Sequence, residues 1–141
     1  MNKSDMRKLL LRNRFFQCLI LNLKYDILII SNSKKAGVLR MGILLNPSNV
    51  DFSRAVNSEI YIDKSELINY TNKVIDTEQR FVCVSRPRRF GKSMAANMLT
   101  AYYSKGCDSR ELFKPYKIAK SDSFEKHLNK YNVIHINMVE Y

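Results

Sequence analysis

Apolar positions along the chain fall into two spacings, and each predicts a different element. Leu67, Ile68, Val74 and Ile75 form an apolar stripe at helical spacing, which predicts a helix over 64–75. Met94, Ala95, Met98, Leu99 and Tyr102 share one helical face and predict a second helix over 91–104, with Gly106 placed to end it. Between the two lies Arg80–Ser85, short, largely apolar and without helical period, the signature of a strand buried on both faces. Asn132–Met138 has the same character and predicts another strand. Short helices are expected over 109–113, stopped before Pro115, and over 122–129. Ile60-Tyr61-Ile62 is a brief β-branched and aromatic run, and Asn46-Pro47 marks a turn. Asp63, with Glu66 three residues later, has the spacing of a capping box. The order strand, loop, helix, short helices, strand describes one crossover of a parallel sheet, hence an α/β chain.

Residues 1–40 differ. They are apolar and basic without clear period, and only Ile27–Ile30 reads as a short strand. The composition shifts at Met41, which divides the chain into an N-terminal extension without clear fold, 1–40, and the patterned part, 41–141. That shift suggests Met41 as the true start. The formal charge is +11, which makes polyanions the natural partners. Nine Lys/Arg stand against two Asp in residues 1–40, and fifteen against eleven Asp/Glu in the rest. Much of the excess therefore lies outside the patterned part, which argues against nucleic acid as the partner of the whole chain. The three cysteines are widely spaced, so neither a disulfide framework nor a zinc site is expected, and a reducing cytoplasm fits them. The apolar run 15–23 is broken by Lys24 and Asp26 and is followed by no cleavage pattern, so no membrane partner is expected.

The chemistry concentrates in Arg86-Pro87-Arg88-Arg89-Phe90-Gly91-Lys92-Ser93. A triphosphate needs inward-turned backbone N–H groups and a helix N-terminus, where free N–H groups and the dipole favour anions. Gly91 lets the backbone approach, Lys92 would reach the β- and γ-phosphates, and Ser93 would offer its hydroxyl to Mg²⁺. The usual pattern opens with Gly where Arg86 stands, and Pro87 lacks an N–H. Guanidinium charge from Arg86, Arg88 and Arg89 would offset that loss. Two other readings stay open: a basic module gripping a nucleic-acid backbone through Arg86, Arg88 and Arg89, and a plain strand–helix turn with a surface Lys.

The runs 57–68 and 77–93, with Met41-Gly-Ile-Leu-Leu-Asn-Pro and His127-Leu-Asn-Lys-Tyr-Asn-Val-Ile-His, closely resemble the start of the bacterial AAA-ATPase-like proteins. The likeness covers 41–141, and the string RPRRFGKS is its most specific part. The resemblance implies a cytoplasmic P-loop ATPase domain that takes ATP and Mg²⁺, with Arg86, Arg88, Arg89, Phe90, Gly91, Lys92 and Ser93 around the phosphates and Ser93 on the metal. The implied fold is a partial P-loop NTPase three-layer sandwich, strand–P-loop–helix–strand, with an incomplete sheet. Family members carry an acidic motif of the type I-D-E-Y-D on a later strand, and Met138-Val139-Glu140-Tyr141 does not match it. No catalytic residue is therefore assigned, and little hydrolysis is expected from this chain alone. An N-terminal fragment of a larger ATPase is the simplest account, with an inert gene remnant as the alternative. Such a fragment would expose apolar surface and invite self-association or a complementing ATPase chain.

Asp63 and Lys64 stand about twenty residues ahead of the loop and are candidates to line the nucleotide site, against the plainer reading of a helix cap beside a surface Lys. His127 and His135 lack partners at metal-ligand spacing. Cys83, Met94, Met98, Tyr102 and Tyr103 are expected to pack in the core.

Overall fold

The computed structural model describes residues 18–23, 26–31, 45–85, 87 and 89–137. Two strands, β1 (Cys18–Leu23) and β2 (Asp26–Ser31), form an antiparallel hairpin. Helices α1 (Val50–Val56) and α2 (Glu66–Val74) follow. A 3-10 turn, Glu78–Arg80, leads into β3 (Val82–Cys83) and then α3 (Lys92–Tyr103). The chain continues through α4 (Arg110–Phe113), a 3-10 turn at Lys117–Lys120, α5 (Phe124–His127) and β4 (Asn132–Asn137). The chain is thus mixed helix and strand.

The four strands lie in the order β3-β1-β2-β4. The sequence pattern suggests β3 and β4 as a parallel pair. Instead they are not neighbours, because the hairpin from residues 18–31 sits between them. β1 runs antiparallel to β3, with Leu19 opposite Cys83, and β2 runs parallel to β4, with Asp26 opposite Asn132. Ile27 and Ile29 of β2 are fully buried and, two residues apart, lie on the same face of the strand. β3 is shorter than expected and lies at the sheet edge. Val82 is buried, but Phe81 and Cys83 are exposed, so Cys83 is not a core residue as the apolar run suggested. An edge strand covered on one face explains the difference. The outer side of β4 is partly closed: the Asn46 N–H donates to the Val133 carbonyl at 2.6 Å, and Asn46 Oδ1 accepts from the Val133 N–H at 2.8 Å.

Helix α3 occupies the centre. Ala95, Ala96, Met98, Leu99, Ala101, Tyr102 and Tyr103 are all buried, so the helix is covered nearly all round, where the spacing predicted one apolar face. Phe52, the inward residue of the unforeseen helix α1, stacks on Phe113 with ring centroids 5.0 Å apart. The two tyrosines bring polar atoms inside, and these are satisfied. Tyr103 Oη lies 2.6 Å from Thr71 Oγ1 and donates to Asn72 Oδ1, while Asn72 Nδ2 donates to Tyr102 Oη and Tyr102 Oη donates to the Phe124 carbonyl. Burial pushes the Tyr102 phenol up to about 12.

Gly106 does not end α3 as a left-handed cap. Asn129, itself left-handed at φ 54°, donates from Nδ2 to the carbonyls of Ala101 and Ser104 and accepts the Ser109 N–H at 2.9 Å. It thereby closes the helix end that backbone alone leaves open. Gly106 is glycine for another reason: a Cβ there would collide with the Asn46 carbonyl.

Asn129→Ala orphans the Ser109 N–H and leaves two helix-end carbonyls short of a donor. It is expected to lower stability by about 2–3 kcal/mol, read as a shift of the urea unfolding midpoint without a change in slope.

Candidate functional site

The turn from β3 into α3 is built from residues with unusual backbone. Arg89 and Gly91 both take left-handed conformations, φ 68° and 74°. Gly91 adopts this at no steric cost, whereas Arg89 carries a Cβ and is strained. Gly91 is the N-cap of α3, and Lys92 and Ser93 are its first two residues. The glycine supplies no side-chain cap, and the first turn of α3 holds no acidic residue. By contrast α1, α2, α4 and α5 carry Asp51, Glu66, Glu111 and Glu125 in their first turns. The N-terminal end of α3 thus keeps the partial positive charge that carboxylates offset elsewhere.

The sequence-predicted residues divide as follows. Gly91, Lys92 and Ser93 come together at the start of α3. Lys92 is withdrawn from solvent, at 6% exposure, and Ser93 is half-buried. Arg89 is exposed, and Phe90 presents 62% of its surface. Arg86 and Arg88 lie outside the described residues. Among the described residues no three His, Cys, Asp or Glu side chains gather as a metal cluster. His127 is engaged elsewhere, its Nδ1 2.6 Å from Tyr131 Oη.

A segment distant in sequence completes the site. Lys64 Nζ donates to the Phe90 carbonyl at 2.9 Å, and the same ammonium is what a Cβ on Gly91 would strike. Lys64 is therefore neither a free surface lysine nor part of a helix, since α2 begins at Glu66 with Ser65 as N-cap. Asp63 accordingly does not stand at N-cap in a capping box with Glu66. Its Oδ1 accepts the Ser65 N–H at 2.8 Å, and its Oδ2 accepts the Lys117 N–H at 3.2 Å. Ser65, buried, accepts the Ile118 N–H on its Oγ at 3.2 Å. Partial burial pushes the Asp63 carboxyl up, but the hydrogen bonds from Ser65 and Lys117 and the Lys117 charge outweigh it and hold the group below its ordinary value. The two flanking side chains lock residues 63–65 onto the 3-10 turn at Lys117–Lys120. No short motif signals that lock, because its partners are more than fifty residues apart.

A mixed α/β chain whose central helix opens on Gly-Lys-Ser behind an edge strand defines the class. Residues 50–141 match the AAA-ATPase-like family, described as a predicted AAA-ATPase, and the chain belongs to it. No curated protein and no solved structure matches the chain. The match leaves β1 and β2 outside its limits. Among the described residues, no helix is long and apolar enough to cross a membrane.

The depressed Asp63 carboxyl stabilises the fold where it is ionised. That contribution is present above the unfolded value of 3.8 and is lost as pH falls through the lower folded value. Asp63→Asn is expected to be less stable than the parent at neutral pH, with the gap in urea midpoint narrowing as pH falls below the ordinary carboxylate value.

Proposed function

We propose that the chain binds the phosphate chain of a nucleoside triphosphate, ATP with Mg²⁺, at the turn 86–93 and the N-terminal end of α3, in a partial P-loop arrangement. The observation that carries the reading is the left-handed Gly91 delivering Lys92 and Ser93 to the first turn of an acid-free, uncapped helix start. First-turn N–H groups have no partners within a helix and suit an anion. Lys92 would meet the β- and γ-phosphates, Ser93 would hold Mg²⁺ through its hydroxyl, and Arg89 and Phe90 would contribute loop backbone. Arg86 and Arg88 would add guanidinium charge from the same loop. Bound Mg²⁺ would neutralise part of the phosphate charge. The family's description as a predicted AAA-ATPase supports ATP as the nucleotide.

Mg²⁺-ATP at about a hundred times its dissociation constant should stabilise the full chain by about 2.7 kcal/mol. For a chain of this size that is a rise in melting temperature of about 9 °C. Lys92→Ala should abolish the rise. No rise in the parent chain, or an equal rise in Lys92→Ala, overturns the reading.

A further inference from the structure

Lys64 has no part in the phosphate contacts proposed above, yet its ammonium reaches the loop between its two left-handed residues. The Phe90 carbonyl lies between Arg89 and Gly91, both left-handed. Lys64 Nζ donates to that carbonyl at 2.9 Å across 26 residues of sequence. We propose that Lys64 is a positioning residue that sets the orientation of the Phe90–Gly91 peptide, and so the direction in which the Gly91 N–H is presented to a bound phosphate. This rests on the phosphate-binding reading of the loop.

A trans peptide is planar, so its C=O and N–H point to opposite sides. An ammonium holding the Phe90 carbonyl on one side sends the Gly91 N–H to the other. Rotation of that peptide would exchange donor for acceptor in the loop, and a carbonyl turned towards phosphate repels it. Such rotation turns ψ of Phe90 and φ of Gly91, and glycine's conformational freedom makes it inexpensive unless something holds the plane. The holder must itself be fixed, and Lys64 is. Asp63 and Ser65 on either side are anchored to the amides of Lys117 and Ile118. The ammonium also fills the space beside Gly91, where a Cβ would strike it. Glycine at 91 therefore serves the left-handed turn and the lysine together. The link to Phe90 runs through charge and a hydrogen bond, so arginine at 64 can replace lysine where alanine cannot.

The test uses the full chain as the parent, Lys64→Ala, Lys64→Arg and Lys92→Ala. Titration calorimetry measures Mg²⁺-ATP and Mg²⁺-tripolyphosphate, and amide hydrogen exchange of residues 89–93 is followed without ligand. Lys64→Ala should weaken both ligands by a similar factor, about tenfold, as expected for one lost charge-assisted bond. Its loop amides should exchange faster, and Lys64→Arg should restore both properties. Parent-like binding in Lys64→Ala overturns the proposal. So does unchanged loop exchange, or a loss that arginine fails to rescue. If the parent binds neither ligand, or Lys92→Ala binds both as the parent does, the phosphate reading of the loop falls instead. Loop exchange in Lys64→Ala then decides by itself whether Lys64 holds the peptide.

Discussion

Backbone pairing through the β1–β2 hairpin is the interaction on which the rest of the structure depends. β3 and β4 are not neighbours, and each pairs with a strand of the hairpin. A two-residue strand such as β3 cannot stand by itself, since an isolated pair of strands is marginal in water even when long. Its pairing with Leu19 and Ile20 fixes the point from which the chain leaves for the turn into α3. Helix α3 in turn packs on β1, β2 and β4, so its buried sides are a consequence of the same sheet. The family match begins at residue 50, but the sheet that supports the matched region draws its two inner strands from before it.

The loop is consequently held from two directions. One hold is covalent and runs through β3 and α3. The other crosses from Lys64, whose neighbours are bound to the segment after α4. A loop with a strained arginine at φ 68° persists only where its surroundings over-determine it. Here both supports bear on the three residues 89–91. Exposed apolar surface lies close by in sequence to both supports, in Ile60, Ile62 and Phe90.

Local information made part of this legible. Gly91, Lys92 and Ser93 sit where the sequence places them because a turn glycine and the helical repeat behind it are encoded within about fifteen residues. The limits of α3 and β4 follow for the same reason. Helix α1 was not legible, since seven residues with Phe52 as their buried member give no repeat to read. Cys83 misled because a strand's apolar run cannot reveal that one face stays open at an edge. Asn129 took the role expected of Gly106 through a side chain more than twenty residues from the helix end it closes. The hairpin's place between β3 and β4 was hidden most completely, as pairing across the length of the chain leaves no mark in either partner alone.

That last feature also sets an order of events during synthesis. The hairpin joins neighbours in sequence, so it can close as soon as residue 31 has left the ribosome. β2 must then present an unpaired edge until β4 follows, roughly a hundred residues later, from Asp26 to Asn132. At ribosomal rates of about 5–20 residues per second, that wait lasts roughly five to twenty seconds. During it a preformed strand edge faces solvent or whatever escorts the nascent chain. The piece of the sheet made first is the piece completed last.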